Sequence, residues 1–151
     1  MYRHADANYV CPFCALIQGK TETLSVQEDI VYQTEFVSAF IASHWWPNNA
    51  GHVLIIPNEH IENLYEIPFE MGAYLIEAAR KVALAMKVAY ACEGISTRQH
   101  NEPAGYQDVF HYHVHVFPRY THDYLYDLSA WKQFAEPAKR KPYAEALRAV
   151  I

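Results

Sequence analysis

The stretch His111-Tyr112-His113-Val114-His115-Val116-Phe117 places histidines at alternate positions of an otherwise apolar segment. Successive side chains of a β-strand point to opposite faces, so residues 109–117 are predicted to form a strand whose imidazoles share one face. Imidazole titrates near neutral pH and serves as a nucleophile, an acid, a base or a metal ligand. The residues alone leave three interpretations open: a polar or partly buried strand face, a zinc site, and a catalytic row.

The rest of the chain predicts an α+β domain with a mainly antiparallel sheet. Five β-prone stretches are present, at residues 28–32, 36–41, 52–57, 94–98 and 109–117. Apolar residues recur every three or four positions between Pro68 and Cys92, which predicts one long helix. Residues 43–51 are predicted to be a loop, and a short helix is expected near residues 143–150.

Length and charge limit the possible functions. The 151 residues fit one domain spanning 1–151, with a core at about 11–120 and a C-terminal tail at 121–151. The net charge of -5 disfavours a nucleic-acid groove, although a phosphate pocket needs only local donors. Neither an apolar run of ~18–20 residues nor a secretion signal is recognisable. We therefore expect a cytoplasmic protein without nucleic-acid or membrane partners.

A second motif is Cys11-Pro12-Phe13-Cys14. Three cysteines in a chain without a recognisable signal argue against a disulfide framework. The Cys-x-x-Cys spacing fits two ligands of a tetrahedral zinc ion, but the pair alone leaves redox chemistry and burial as small apolar side chains open. Cys92, at the end of the predicted helix, is expected to be a buried apolar group.

The segments around the alternating histidines resemble the histidine-triad (HIT) family. The family signature is His-φ-His-φ-His-φ-φ, where φ is apolar, and HYHVHVF at 111–117 matches it. Upstream, GHVLIIPNEH at 51–60 resembles the strand that enters the family's site, and CPFC resembles the start of the zinc-bearing bacterial members. The resemblance covers about residues 11–120. It implies the HIT fold: a mainly antiparallel five-stranded sheet, one long helix, a short N-terminal helix and a C-terminal tail.

The resemblance also implies a nucleotidyl hydrolase or transferase acting on nucleoside phosphoramidates or dinucleoside polyphosphates. His113 matches the nucleophile, which takes up the nucleotidyl group covalently before a nucleoside 5′-monophosphate is released. His115 matches the catalytic partner of the α-phosphate and the leaving group, and His52 matches a further catalytic-site histidine. Asn101 and Gln107 match substrate-binding groups that hold phosphate oxygens, although loop amides also commonly satisfy backbone groups.

In the zinc-bearing branch of the family, and in the related galactose-1-phosphate uridylyltransferases, two histidines complete the ligand set of the cysteine pair. They match His60 and His111 here, so the resemblance implies a zinc site of Cys11, Cys14, His60 and His111. Four protein ligands leave no position for water, which makes the site structural. It would orient the strand that presents His113. The family further implies a homodimer.

Departures from the family pattern concern the nucleoside. Ala42 stands where many members carry an acidic or amide residue that holds the ribose, so either His44, Asn48 or Asn49 replaces it or the contact is missing. Tyr106 stands where glycine is usual. The inserted Trp45 and Trp46 would stack on a base, or pack at a dimer interface or under the tail.

Three other functions compete with the hydrolase. The first is a nucleotide-binding regulatory module with little turnover. The second is a dinucleoside polyphosphate phosphorylase that uses phosphate as the acceptor. The third is a metal-dependent hydrolase with zinc on the triad itself. Retention of the whole triad together with Gln107 favours an enzyme, since a pure binder needs no nucleophile.

Overall fold

The strands and helices follow from a computed structural model that describes residues 2–20 and 23–151. The strands are β1 (Ile30–Gln33), β2 (Val37–Ile41), β3 (His44–Trp45), β4 (Val53–Pro57), β5 (Gly94–Gln99), β6 (Val114–Arg119) and β7 (Gln133–Phe134). The helices are α1 (Pro12–Ile17), α2 (Phe69–Ala89) and α3 (Pro137–Arg148). Short 3₁₀ turns lie at Gln27–Asp29, Leu64–Glu66, Pro103–Gly105 and Ser129–Trp131.

A five-stranded sheet in the order β1-β2-β4-β6-β5 is antiparallel throughout, and β3 pairs with β7 in a separate two-stranded sheet. This confirms the predicted α+β fold with one long helix and a five-stranded antiparallel sheet. In the register of the large sheet, His115 of β6 lies opposite Leu54 of β4 on one side and Arg98 of β5 on the other. Residues opposite one another in neighbouring strands share a face.

The sheet is covered on both faces, which explains why β4 is apolar at every position. On one face, α2 packs Leu75, Val82 and Met86 against the side that carries Val53 and Ile55. On the other face, α1 packs against the side that carries a second apolar cluster, whose buried members are Cys11, Phe13, Leu16, Phe40, Ala42, Leu54 and Ile56. His115 projects toward this α1 side because it pairs with Leu54.

The predicted strand at 109–117 is wrong in its first half, because β6 begins only at Val114. The His111 amide donates to the Val109 carbonyl at 2.8 Å, and the Tyr112 amide donates to the Ile61 carbonyl at 2.6 Å. These local and loop contacts replace sheet pairing, so His111 and His113 precede the strand and only His115 lies in it.

Three further differences from the predicted elements concern β3 and the two longer helices. Residues 43–51 contain β3, because His44 and Trp45 pair with Phe134 and Gln133 of β7. The last helix begins at Pro137 rather than near residue 143, since proline suits the first helical position. The long helix ends at Ala89, three residues before Cys92.

The C-terminal helix is bound tightly to the sheet. Arg140 is fully buried, and its guanidinium contacts both carboxylate oxygens of Asp29 at 2.9 Å. Gly51 has a φ of +76°, and a Cβ there would lie 2.3 Å from Cδ1 of Tyr143, so this turn requires glycine. Among the described residues, no helix is long and apolar enough to span a bilayer.

Candidate active site and metal centre

Four ligand-type side chains converge between α1 and the segment before β6. The Sγ and ring-nitrogen atoms of Cys11, Cys14, His60 and His111 all lie within 4.8 Å of one another. Nδ1 of His111 is 3.3 Å from Sγ of Cys11 and 3.5 Å from Sγ of Cys14, and Nδ1 of His60 is 3.3 Å from Sγ of Cys14. Ligand atoms around tetrahedral zinc are separated by roughly 3.3–3.8 Å, given its ordinary bond lengths.

The protonation of this cluster suits a cation. Nε2 of His111 donates to the Pro57 carbonyl at 2.9 Å, which leaves the lone pair of Nδ1 facing the two sulfurs. Burial, followed by the proximity of Cys11, raises the pKa of the Cys14 thiol to about 12. A positive charge bound beside Cys14 would therefore favour its thiolate form. The donor set and its geometry fit zinc.

His113 is buried and lies two residues after His111, a member of this cluster. Its Nδ1 donates to the His111 carbonyl at 2.7 Å, so the proton sits on Nδ1 and the lone pair on Nε2. Burial lowers the pKa of His113, which keeps the ring neutral near pH 7. Phe13 contacts the rings of both His111 and His113 edge-on, with centroids 5.8 Å and 5.4 Å away. The rings of His111 and His113 are thus held by the same aromatic side chain.

His115 and His52 form a stacked pair. Nδ1 of His115 lies 3.4 Å from Nε2 of His52, and the rings are 26° from parallel. Nδ1 of His52 is buried and has no hydrogen-bond partner among the described residues. A buried unpaired N–H is costlier than a buried unpaired lone pair, so we assign the proton of His52 to Nε2, where it donates to His115. Nε2 of His115 then carries a proton that can be donated to a substrate.

Two cavities meet at His115. The first, of about 200 Å³, is lined by Phe13, Ser43, His44, His113 and His115 together with Pro12, Thr23, Leu24, Ser25, Trp46, His52, Leu54, Asp108, Val109 and Lys132. The second, of about 540 Å³, is lined by Trp46, Arg98, His100, Tyr106, Asp108, His115, Tyr126, Ala130 and Lys132. His113 faces only the first cavity, whereas His115 faces both.

The two predicted phosphate-binding amides lie in the loop that leads to His111. Nε2 of Gln107 donates to the Glu62 carbonyl at 2.7 Å, and its Oε1 accepts from the Glu102 amide at 2.7 Å. Oδ1 of Asn101 accepts from the Leu64 amide at 2.8 Å. Neither side chain lines the two cavities. Their role toward phosphate stays a prediction, and their contacts here hold the loop.

The three residues predicted as ribose contacts have different surroundings in the structure. Asn49 is buried and donates to the Pro118 carbonyl at 2.8 Å and to Asp123 at 2.9 Å, and Asn48 donates to the Asp123 carbonyl at 3.1 Å. Both asparagines therefore bind the C-terminal segment. His44 lines the first cavity beside Ser43, whose hydroxyl is 3.1 Å from its Nδ1.

The tryptophans and Tyr106 also have clear structural roles. Trp46 is buried against Phe117 and Leu125, which is the predicted packing under the tail. Trp45 packs edge-on against Tyr143 at 4.9 Å between centroids. Tyr106 has a φ of +68°, a left-handed conformation that explains why glycine is favoured at its position.

Three side chains of the second cavity were not predicted from the sequence, namely Arg98, His100 and Lys132. Arg98 could have been found from strand alternation, once β5 was paired with β6 in the register that opposes Arg98 to His115. Lys132 reaches the site from the C-terminal segment, and no local pattern indicates that contact.

Comparison with known proteins agrees with this geometry. Residues 23–122 match the family model described as HIT domain. "Protein hit" from Bacillus subtilis (strain 168) is 35% identical over 129 residues, which are 85% of this chain and 83% of that protein.

Solved structures agree as well. A zinc-bound histidine triad family protein from Mycobacterium smegmatis has a TM-score of 0.74 and 27% identity, covering 93% of this chain and 91% of that one. Plasmodium falciparum diadenosine triphosphate hydrolase has a TM-score of 0.69, covering 83% of this chain and 77% of its own; at 14% identity it shows the fold alone. The chain belongs to the histidine-triad (HIT) family, whose members bind nucleotides and include nucleotide hydrolases and transferases.

Proposed function

We propose that the protein is a nucleotidyl hydrolase or transferase that cleaves a phosphoanhydride or phosphoramidate bond of a nucleoside 5′-phosphoryl substrate. The observation that supports it best is the tautomer of His113, whose Nδ1 is bound to the His111 carbonyl while the ring lines the first cavity. A buried neutral imidazole with a free Nε2 lone pair is a competent nucleophile at neutral pH.

In the first step, Nε2 of His113 forms a bond to the α-phosphorus while the bond from phosphorus to the leaving group breaks. The N–H of His115 lies beside the same cavity and donates to a phosphate oxygen or to the departing atom. In the second step, water or another acceptor attacks the phosphorus and gives its proton to Nε2 of His115, which has passed its own proton to the leaving group, while the bond from phosphorus to Nε2 of His113 breaks. The products are the leaving group and a nucleoside 5′-monophosphate, or its adduct with the acceptor.

His52 acts through His115 as a positioning residue. Its Nε2 faces Nδ1 of His115, and its ring also stacks on Phe117, whose centroid lies 4.4 Å away with the rings 18° from parallel. The stacked rings fix the orientation of His115, and the hydrogen bond keeps the His115 proton on the nitrogen that faces the substrate.

We propose a structural role for zinc at Cys11, Cys14, His60 and His111. The ion would supply the positive charge that the thiolates need and would join α1 to the segment that carries His113. This proposal gives a prediction: Cys11→Ser loses about one zinc per chain in metal analysis, because four ligands of a closed site are needed together. The matched control is Cys92→Ser, since Cys92 is also buried but lies outside the cluster. Equal zinc content in the two variants would remove the site.

The pH dependence of stability gives a second prediction. Burial, followed by the charge of Arg98, lowers the pKa of His52 to about 3, compared with about 6.5 in an unfolded chain. Between these values the unfolded chain binds a proton that the folded chain does not, so the free energy of unfolding falls by up to ~1.4 kcal/mol per pH unit as pH decreases. Above pH 6.5 the contribution is constant. The charged and titratable groups that face His52 are Arg98, Lys132, His44, His113 and His115.

Denaturant unfolding between pH 7.5 and 5.5 measures this dependence. We expect His52→Gln to flatten the slope of unfolding free energy against pH, because glutamine does not titrate. His122→Gln, at an exposed histidine, is expected to leave the slope as in the wild type. Identical slopes in all three proteins would contradict the assignment of a neutral, buried His52.

A substrate panel tests the proposed function itself. The panel contains nucleoside phosphoramidates, dinucleoside polyphosphates, nucleoside diphosphates with phosphate as the acceptor, and sugar nucleotides. Release of a nucleoside 5′-monophosphate from at least one compound is expected. Release of a nucleoside diphosphate only in the presence of phosphate would identify the phosphorylase. No turnover of any compound would favour the binding module.

We also propose that the chain forms a homodimer. β5 lies at the end of the sheet order, and α2 exposes Ile76, Leu84 and Val88 to solvent. A strand edge at the end of a sheet and exposed apolar residues on a helix are both typical of surfaces that are covered in an assembled protein. Sedimentation equilibrium is expected to give twice the mass of the chain, and Leu84→Glu is expected to shift the equilibrium toward the monomer.

A further inference from the structure

The second cavity adjoins the site but has no part in the attack by His113. It is larger than the first cavity, about 540 Å³ against about 200 Å³, and His115 lies in the wall of both. In an in-line displacement the leaving group departs on the side of phosphorus opposite the nucleophile. His113 lines only the first cavity, so the nucleophile attacks phosphorus from that side. A leaving group that departs on the opposite side, past His115, therefore enters the second cavity.

The cavity contains a cation without a counter-ion. Arg98 lies opposite His115 in the sheet, and its guanidinium carbon is 5.0 Å from the Trp46 ring centroid and 4.9 Å from that of Phe117. These rings hold the guanidinium in place on the cavity wall. Its Nε is buried and has no hydrogen-bond partner among the described residues.

The other arginines of the chain bind oxygen atoms of the protein: Arg148 donates to the carbonyl oxygens of Glu28 and Ile30, and four others bind carboxylates. Arg3, Arg80, Arg119 and Arg140 each form an ion pair with a carboxylate, at 2.7 to 2.9 Å. Within residues 2–20 and 23–151, Arg98 forms no such pair. Burial lowers the pKa of Arg98, yet a guanidinium stays charged at neutral pH. A partly desolvated cation without a counter-ion favours the binding of an anion.

The other charged side chains in the cavity wall also favour the binding of an anion. Lys132 lines both cavities, and its Nζ is 3.3 Å from the carboxylate of Asp108. Among the residues that the structure describes, Asp108 is the one acidic side chain in the wall, and it is largely exposed, with 65% of its side-chain surface accessible. Two cations and one carboxylate leave the cavity with a net positive charge, while His100 and the two tyrosines add further polar groups.

Resting on the proposed function, we propose that Arg98 and the second cavity bind the phosphate of an anionic leaving group. Arg98 is then a specificity-determining residue: it selects phosphoanhydride substrates, whose leaving group begins with a phosphate, over phosphoramidates, whose leaving group is an uncharged amine. The planar guanidinium binds two phosphate oxygens at once. Its contacts with the rings of Trp46 and Phe117 hold it in a fixed orientation before the phosphate binds. No group is transferred to Arg98, and the chemistry at His113 is the same for both substrate types.

The test compares two substrates, diadenosine tetraphosphate and adenosine 5′-phosphoramidate, in the wild type and in Arg98→Gln. We expect kcat/KM for the tetraphosphate to fall roughly 10–100-fold in the variant, as for the loss of a charge-assisted hydrogen bond, and the loss for the phosphoramidate to be at least tenfold smaller. Arg98→Lys, which keeps the charge but not the planar fork, should lie between. Arg80→Gln, on the exposed surface of α2, is the matched control and should resemble the wild type. Equal losses on the two substrates, or no loss on the tetraphosphate, would overturn the proposal.

A binding measurement separates this proposal from the proposed function. Inorganic tripolyphosphate is titrated calorimetrically into wild type and Arg98→Gln, with circular dichroism as the check on folding. Tripolyphosphate binding that weakens at least tenfold in the variant supports the anion subsite, whether or not either nucleotide is turned over. If neither nucleotide is turned over, only the proposed hydrolase is rejected. Absence of binding to the wild type, or equal binding to both proteins, rejects the subsite.

Discussion

The variant His113→Ala is expected to lose turnover by about 10⁴-fold or more, as for the removal of a nucleophile from a catalytic group that acts as a unit. The loss follows from geometry: Nε2 of His113 is the one free ring nitrogen that the His111 contact directs toward the first cavity. Steady-state release of nucleoside 5′-monophosphate measures it. Zinc content is expected to be unchanged, because His113 is not a member of the Cys₂His₂ cluster.

Two controls accompany this experiment. His122→Ala removes an exposed histidine outside the site and is expected to have wild-type activity. Because His113 is buried against Phe13, alanine leaves a void, and His113→Asn fills more of it without supplying a nucleophile. If both His113 variants keep more than a tenth of the activity, His113 is not the nucleophile. If both also lose zinc, the inactivation is structural.

The second large effect concerns the C-terminal helix. Arg140→Met is expected to lower the free energy of unfolding by about 3–5 kcal/mol, because removal of one partner of a buried ion pair leaves the other charge unpaired. Arg140 is fully buried, contacts the buried Asp29 carboxylate, and donates to the carbonyl oxygens of Ala135 and Leu24 at 2.6 and 2.9 Å. Leu24 lines the first cavity, so the same change is expected to weaken substrate binding.

Denaturant unfolding measures this prediction, with Arg148→Met as the matched control on the same helix. Arg148 also donates to backbone carbonyls, those of Glu28 and Ile30, but it is exposed, and its loss is expected to cost less than about 1 kcal/mol. The double variant Arg140→Met/Asp29→Leu removes both charges and is expected to regain much of the stability. Equal effects of the two methionine substitutions would show that burial of the Arg140 pair contributes nothing.

The sequence predicts the elements whose pattern is local. β4 is apolar because both faces of the sheet are covered, and the spacing of apolar residues in α2 follows from its one buried face. The residues of the candidate zinc cluster were available from CPFC, NEH and the first triad histidine, and the structure brings their ligand atoms together. These patterns do not predict the backbone conformation of residues 111–113, which precede β6.

The remaining differences come from contacts between distant segments. His111 and His113 leave the strand because the Tyr112 amide bonds to Ile61, and β3 exists only because β7 pairs with it. An arginine in an edge strand resembles any solvated residue, and only the pairing of β5 with β6 sets Arg98 beside His115. Long-range pairing of this kind leaves no periodic signal in a single sequence.

The covalent intermediate is tested most directly by trapping it. Wild-type protein is mixed with excess substrate from the active members of the panel and quenched in base within milliseconds, since phosphoramidates are labile in acid. The peptide that contains residues 111–119 is then analysed by mass spectrometry. The predicted result is a peptide heavier by one nucleoside monophosphoryl group, with fragmentation locating the group on His113. Continued turnover with an unmodified His113 at every quench time would contradict the nucleophile.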